Sequence, residues 1–285
     1  MNILNSSNPL VTVAMPVYNA GQHLRNAVMS IINQSYTHWE LIIIDDGSTD
    51  HAIESLNDID DIRIKIIQDG VNKGLAGRLN QIIDMANGDF IARMDQDDIS
   101  YPERFLLQLK LLIDNADLDL VAGRAIRISE NNQPLGYLPF FLNTRSVSSK
   151  PWLGIYMPHP TWMGRVGWFR KHRYASPAPY FCEDQELLLR SYESSQFSLV
   201  DEVVLAYRVR DSVPLKKLFK VRWALLKMQS SFFYHKRSYV YLLFSVLSFI
   251  FRLLKNLFHI KFHLNKISDQ DFESFYRVLN TNEKK

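Results

Sequence analysis

Short apolar runs that each stop at an acidic or glycine-bearing turn, with an amphipathic stretch behind most of them, constrain this chain more than any other feature. Val11 to Met15 reads as a strand. Glu40 to Ile44, Arg63 to Gln68, Phe90 to Met94 and Leu118 to Ile128 read as four more. Between them Leu24, Val28, Ile31 and Ile32 share one helical face, and Leu75 to Ala86 predicts a helix with Leu79, Ile82 and Ile83 inward. Pro102 stands at the first position of a further helix that carries Phe105, Leu106, Leu109 and Leu112. Glu183 to Arg190 predicts another helix and Val203 to Arg208 another strand. Between the two halves, residues 129–180 hold seven prolines and many aromatics, the composition of long ordered loops laid over a sheet. This βαβα order predicts an α/β fold with a mostly parallel sheet flanked by helices. Ligands of such sheets gather at the carboxyl ends of strands, near a topological switch point.

The acids fall at those ends. Asp45 and Asp46 follow the run Ile42-Ile43-Ile44, and Asp95, Asp97 and Asp98 follow Phe90-Ile91-Ala92-Arg93-Met94. Carboxylates spaced D-x-D at a strand end repel one another unless a cation lies between them. A hard divalent ion with oxygen ligands suits that place and keeps positions free for a substrate's phosphates. The expected substrate is therefore a diphosphate, and oxygen ligands alone do not distinguish Mg²⁺ from Mn²⁺.

Charge divides the chain. Residues 1–211 hold 19 Lys+Arg against 26 Asp+Glu, whereas residues 212–268 hold 11 Lys+Arg and no acid. We expect two parts, 1–211 catalytic and 212–285 a basic amphipathic helical tail. Ser238 to Phe251 is a run of 14 uncharged residues, short of the roughly 20 that a membrane span needs. Ser238, Tyr241, Ser245, Ser248, Arg252, Lys255 and His259 recur at steps of three and four, a narrow polar stripe on an apolar helix. Lys217, Lys220, Ala224, Lys227 and Ser231 form another. Cationic helices with large apolar faces lie in the interface of anionic membranes. A helical hairpin packed on protein is the competing expectation. Basic charge without a recognised binding motif argues against nucleic acid. Met1 to Pro9 lacks a signal-peptide pattern, and a single cysteine, Cys182, excludes an intramolecular disulfide. A protein on the cytoplasmic face of the inner membrane is expected.

Five segments in order spell a family pattern: Val13-Ala14-Met15-Pro16-Val17-Tyr18-Asn19, Ile44-Asp45-Asp46-Gly47-Ser48-Thr49-Asp50, Asn72-Lys73-Gly74, Gly88 to Asp98, and Glu183-Asp184. Over residues 10–210 the chain resembles bacterial family 2 glycosyltransferases of the GT-A nucleotide-sugar-binding fold. The resemblance implies an inverting transfer from a nucleotide-sugar, a UDP-sugar first among them, to a hydroxyl of a lipid-linked glycan in surface polysaccharide assembly. By the same resemblance Pro16 and Tyr18 line the base pocket and Asp46 bonds the base. Asp95 meets the ribose, Asp97 ligates the divalent cation, and Asp184 is the general base. His159, in a segment similar to the family's HP-[ST]-x-M-x-R, Glu183 and Arg208 are further active-site candidates.

Each assignment has a plainer reading beside it. Asp45-Asp46-Gly47-Ser48 also spells a tight turn with a helix cap. Asp98 also suits the cap of the helix at Pro102, and Glu183-Asp184 a helix first turn favoured by its dipole. Trp152, Trp162 and Trp168 suit sugar stacking or plain packing. Gln96 stands where the family often has a small residue. Gly164-Arg165-Val166-Gly167-Trp168 carries glycines where bulk is usual, for which the sequence offers no physical account. No G-x-G-x-x-G follows a strand and no G-K-[ST] loop exists, which counts against dinucleotide and P-loop enzymes. Met15 to Gly21 lacks the basic residues of a sugar-nucleotide pyrophosphorylase loop. A nucleotidyltransferase or a non-catalytic scaffold on the same fold stays as the alternative.

Overall fold

The computed structural model describes residues 8–140, 147–209, 214–257 and 267–283, of which 255–257 and 282–283 by backbone alone. Nine strands make one mixed sheet: β1 (Val11–Val17), β2 (Trp39–Asp45), β3 (Ile64–Gln68), β4 (Phe90–Arg93), β5 (Ile99–Ser100), β6 (Leu120–Ile128), β7 (Pro134–Tyr137), β8 (Met163–Arg165) and β9 (Phe197–Arg208). Their order is β3-β2-β1-β4-β8-β6-β9-β5, with β7 paired to β6. β1, β2, β3 and β4 run parallel, as do β6 and β9, while β8, β7 and β5 pair antiparallel. The helices are α1 (Leu24–Ile32), α2 (Gly74–Met85), α3 (Arg104–Asp114), α4 (Val166–Lys171), α5 (Glu183–Ser191), α6 (Leu215–His235), α7 (Tyr239–Leu257) and α8 (Asp269–Glu283).

Strand side chains alternate between faces, so the continuous apolar runs serve two cores. Val11, Val13, Met15 and Val17 of β1 pack with Leu24, Val28 and Ile31 of α1 and Phe105, Leu109 and Leu112 of α3. Ala14, Ile42, Ile44 and Ile91 pack on the other side with Leu79, Ile82 and Ile83 of α2 and Trp168 and Phe169 of α4. β1 and β2 end level, Val17 opposite Asp45, which puts Tyr18 and Asp46 side by side at the carboxyl edge.

Three details differ from the sequence expectations. α3 starts at Arg104, two residues after Pro102, which lies in the preceding turn. β9 starts at Phe197 rather than Val203, because the exposed acids Asp201 and Glu202 fall where its register with β6 slips, and they interrupt the apolar run without ending the strand. Residues 129–180 contribute the short strands β7 and β8, and β8 accounts for Gly164. A Cβ there would lie 2.7 Å from the Asp119 carbonyl and 2.8 Å from Leu120 Cδ1, because β8 is held between β4 and β6.

After β9, α6 and α7 form an antiparallel pair. Phe219 and Trp223 meet Phe249 at 6.3 and 5.9 Å between ring centroids, and Phe233 meets Tyr241 at 5.5 Å. The pair sits on the Pro151–Leu153 turn: Gln229 Nε2 donates to the Pro151 carbonyl at 3.0 Å and Arg252 Nη2 to that of Leu153 at 2.5 Å. Trp152 packs between Tyr241 and Phe244, at 4.8 and 5.2 Å. The polar stripe of α7 therefore faces inward: Ser245 is buried, and Arg252 is spent on the turn. His259 lies outside the described residues, and so does the side chain of Lys255. Outward stand Val240, Leu243, Leu247, Ile250, Phe251 and Leu254, all exposed. No helix of the described residues is long and apolar enough to cross a membrane. α8 returns to the sheet, where Phe275, Val278 and Leu279 cover Ile99, Ile126, Ile128 and Ala206.

Candidate active site

At the ends of β1 and β2, Pro16 is buried and Tyr18 is half exposed. Asp45 takes the tight-turn role, accepting the Ser48 N–H at 3.0 Å. Asp46, almost fully buried, is held by three donors: the backbone N–H of Lys73 at 2.7 Å, that of Gly74 at 3.0 Å, and Arg78 Nε at 2.8 Å. Only one of the three reaches Oδ2, so that oxygen keeps a lone pair for a base N–H. Gly47 adopts φ +79° where the turn passes the backbone of residues 70–72, a conformation that suits glycine. The fully buried Arg78 is a residue that the sequence reading did not single out. It also bonds Asp69, whose carboxyl it holds far below the usual carboxylate range.

The acid loop follows β4. Arg93 is buried and pairs with Asp95 at 2.6 Å, while its Nε and Nη1 have no partner among the described residues. Burial, then the charge of Asp95, pushes the Asp97 carboxyl up to about 6. Asp98 lies well above the usual range for the same reasons in the same order. It does not cap α3: its Oδ1 accepts the Arg208 N–H at 2.8 Å, and its buried Oδ2 has no partner among the described residues. The Arg208 guanidinium donates to the carbonyls of Asp97 at 2.8 Å and Ser129 at 2.6 Å and to Asn132 Oδ1 at 2.7 Å. It braces the acid loop from behind. Gln96 makes a two-bond bridge to the end of β1, accepting the Tyr18 N–H at 2.6 Å and donating to the Tyr18 carbonyl at 3.0 Å.

Opposite, Glu183 and Asp184 occupy the first turn of α5, both partly buried. Burial raises both carboxyl pKa values, and the Asp184 charge raises that of Glu183 further. Gln185 Nε2 donates to Asp184 Oδ2 at 3.2 Å and to the Ile155 carbonyl at 3.0 Å, tying the acid to a neighbouring loop. His159 is buried with Nε2 2.7 Å from the Tyr174 hydroxyl and Nδ1 3.9 Å from Glu183 Oε1. Burial, then Arg93, drives its pKa well below normal, so the ring is neutral. Two tryptophans belong to the packing: Trp162 donates its N–H to the Met157 carbonyl and Trp168 to Ser195 Oγ, both buried.

Arg93 organises these groups. Asp95, Asp97, Asp98, Glu183, Asp184 and His159 all lie within its electrostatic reach. Pro16, Tyr18 and Asp46 occupy the adjoining edge, linked to the acids through Gln96. The sequence does carry a signal for Arg93, a charge inside an otherwise apolar buried strand. Among the described residues no three His, Cys, Asp or Glu side chains form a metal cage. A divalent ion of the kind expected from the sequence takes one or two carboxylates and completes its shell with substrate phosphates and water. The orphaned buried Oδ2 of Asp98 and the mutual repulsion of Asp95 and Asp97 fit such a cation.

The sheet order and the acids at its carboxyl edge define the GT-A class of α/β fold. Residues 12–173 match the model of Glycosyl transferase family 2, and the chain belongs to that family. It is 43% identical over 110 residues to EpsE of Bacillus subtilis, covering 38% of this chain and 40% of that one. It is 33% identical over 127 residues to the Escherichia coli UDP-Glc:alpha-D-GlcNAc-diphosphoundecaprenol beta-1,3-glucosyltransferase WfgD, covering 45% of this chain and 49% of the relative. The chain thus spans about half the length of these curated relatives. Its fold resembles that of the mannosyltransferase PcManGT from Pyrobaculum calidifontis, solved with GDP-Man and Mn²⁺. The TM-score is 0.63 at 14% identity, over 98% of this chain and 87% of that one.

Proposed function

We propose that the protein transfers a sugar with inversion from a nucleotide-sugar, a UDP-sugar first among them, to a hydroxyl of a lipid-linked glycan in bacterial surface polysaccharide synthesis. The observation that carries this reading is the set of partly buried acids with raised pKa values at the carboxyl edge of the sheet, facing Asp184. Asp46 and Tyr18 hold the base, and Asp95 meets the ribose. Asp97, with Asp98 beside it, holds a divalent cation, Mg²⁺ or Mn²⁺, whose chemistry when bound is to neutralise charge on the departing diphosphate. Asp184 takes the proton of the acceptor hydroxyl, and burial makes it a stronger base than an exposed carboxylate. Neutral His159, bonded to Tyr174, fixes the wall beside Glu183. A UDP-Glc donor and a lipid diphosphate acceptor are named for WfgD, and GDP-Man for PcManGT.

The test is a thermal-shift panel of UDP, GDP, dTDP and CMP with and without Mn²⁺. A ligand at about 100 times its dissociation constant stabilises a fold by about 2.7 kcal/mol. One nucleoside diphosphate is expected to stabilise the protein only with metal. No shift with any nucleotide sinks the reading in favour of a scaffold.

The same reading places the protein on the cytoplasmic face of the inner membrane. Its support is the apolar outward face of α7, in a segment whose exposed cations, such as Lys216 and Arg237, attract anionic lipid. Flotation with phosphatidylglycerol vesicles is expected to carry the wild type and leave Leu243→Glu/Leu247→Glu behind. Both side chains are exposed, so the fold survives the change. Equal flotation of the two proteins removes α7 from the membrane.

A further inference from the structure

A second cavity lies outside the acid cluster. It is a groove of about 780 Å³ between α5, the turn at residues 177–180 and α6, within the usual size of a small-molecule site. Its α6 wall carries Phe219, Trp223, Met228 and Phe232, together with Lys220 and Lys227. The rings of Phe219 and Trp223 stack at 6.4 Å and 8° apart, and each is about half exposed. Lys220, Ala224, Lys227 and Ser231 of the stripe seen in the sequence thus line this groove, while Lys217 sits over the Phe181 ring. On the facing helix Arg190 and Glu186 neutralise one another at 2.7 Å. Lys220 and Lys227, in contrast, have no carboxylate within ion-pair distance among the described residues. The groove is therefore apolar with two uncompensated positive charges, which is complementary to an anion carried on an apolar chain.

Its position adds a second argument. α5 lines the groove through Glu186, Leu189 and Arg190 and begins at Glu183 and Asp184. At about 1.5 Å rise per residue, the groove starts within two turns of the proposed base. Glu183 stands three residues before Glu186 on the same helical face, so the groove adjoins the start of α5 at one end and the α6–α7 pair at the other.

We infer that this groove seats the lipid end of the acceptor, with its diphosphate against Lys220 and Lys227 and its first isoprenoid units along Phe219, Trp223 and Phe232. The inference rests on the lipid-linked acceptor proposed above. It assigns to α6 a selective role, recognition of the carrier, separate from the membrane contact of α7.

Isothermal titration of the full-length protein with farnesyl diphosphate, in detergent-free buffer below the concentration at which that probe self-associates, tests the assignment. Saturable binding is expected, with farnesol and inorganic diphosphate each at least tenfold weaker. Lys220→Glu/Lys227→Glu is expected to weaken it at least tenfold and Trp223→Ala several-fold, while the metal-dependent nucleotide shift stays unchanged in both. All three positions are solvent-exposed, and that shift also reports that the variants are folded. Unchanged binding in both variants, displacement of the probe by UDP, or equally tight binding of short-chain phosphatidylglycerol overturns the assignment. A protein that binds nucleotide with metal but not farnesyl diphosphate loses the groove alone. One that binds no nucleotide loses the transferase reading, and the acceptor assignment falls with it.

Discussion

Neutralising Asp97 is expected to make the empty enzyme more stable and the loaded enzyme impossible. Its carboxyl titrates at about 6 in the fold against an ordinary value of 3.8. The folded chain therefore holds that proton more tightly than the unfolded chain. Ionising it costs stability progressively as pH rises through the window from about 4 to 6, and the full cost is present above that. The gap of about two pH units corresponds to about 3 kcal/mol at 1.36 kcal/mol each. Asp97 keeps some contact with solvent, so screening reduces this to about 1–2 kcal/mol. Asp97→Asn removes the charge at nearly constant shape and keeps the backbone carbonyl that Arg208 uses. In chelator at pH 7.5 its melting temperature is expected to rise by about 2–8 °C, at roughly 2–4 °C per kcal/mol. At pH 4.5, near the lower end of that window, the difference is expected to shrink to about a third of its value at pH 7.5. Adding Mn²⁺ and the cognate nucleoside diphosphate should reverse the order, since only the wild type gains. Calorimetry at the two pH values, with and without ligand, measures all of this. A destabilised Asp97→Asn at pH 7.5 in chelator, or a gap that does not change with pH, refutes the reasoning that a cation is what this acid awaits.

Three further outcomes are expected. Gln96→Ala removes both bonds to the Tyr18 backbone; with that backbone partly solvated, stability falls by only about 1 kcal/mol, but nucleotide affinity by titration falls several-fold. Asp184→Asn lowers turnover by about 10²–10⁴-fold and leaves the nucleotide thermal shift unchanged; in the wild type, the raised pKa of Asp184 places the acid limb of the pH–rate profile above the ordinary carboxylate range. Gly164→Ala drives a methyl group against the Asp119 carbonyl and costs about 1–3 kcal/mol, read as a lower denaturant midpoint at unchanged slope.

Much of the scaffold was readable because the parallel strands are buried on both faces and appear as uninterrupted apolar runs. β5 and β8 were not, because two or three residues are too few to show a period. The split between the two helical faces of the tail was visible as a pattern, but not which face is solvated. Nothing local in Gln229 or Arg252 announces a carbonyl waiting on the Pro151–Leu153 turn. At the site, the acids were legible from their strand-end positions, whereas Arg78 and Gln96 act through partners from distant segments. Arg208 illustrates the same limit: its position was marked as a candidate, but its partners at Asp97, Ser129 and Asn132 come from two loops that only the fold brings together.

The return of α8 to the sheet has a practical consequence for anyone altering this chain. Phe275 and its neighbours rest on Ile99, the residue directly after Asp98. The last helix is thus a buttress behind the acid loop, and the α6–α7 pair is a span held at both ends. Truncation after β9 removes that buttress along with the span and can silence catalysis without any bearing on membranes. Point changes on the outer face of α7 separate the two roles, and a purification tag belongs at the other end of the chain.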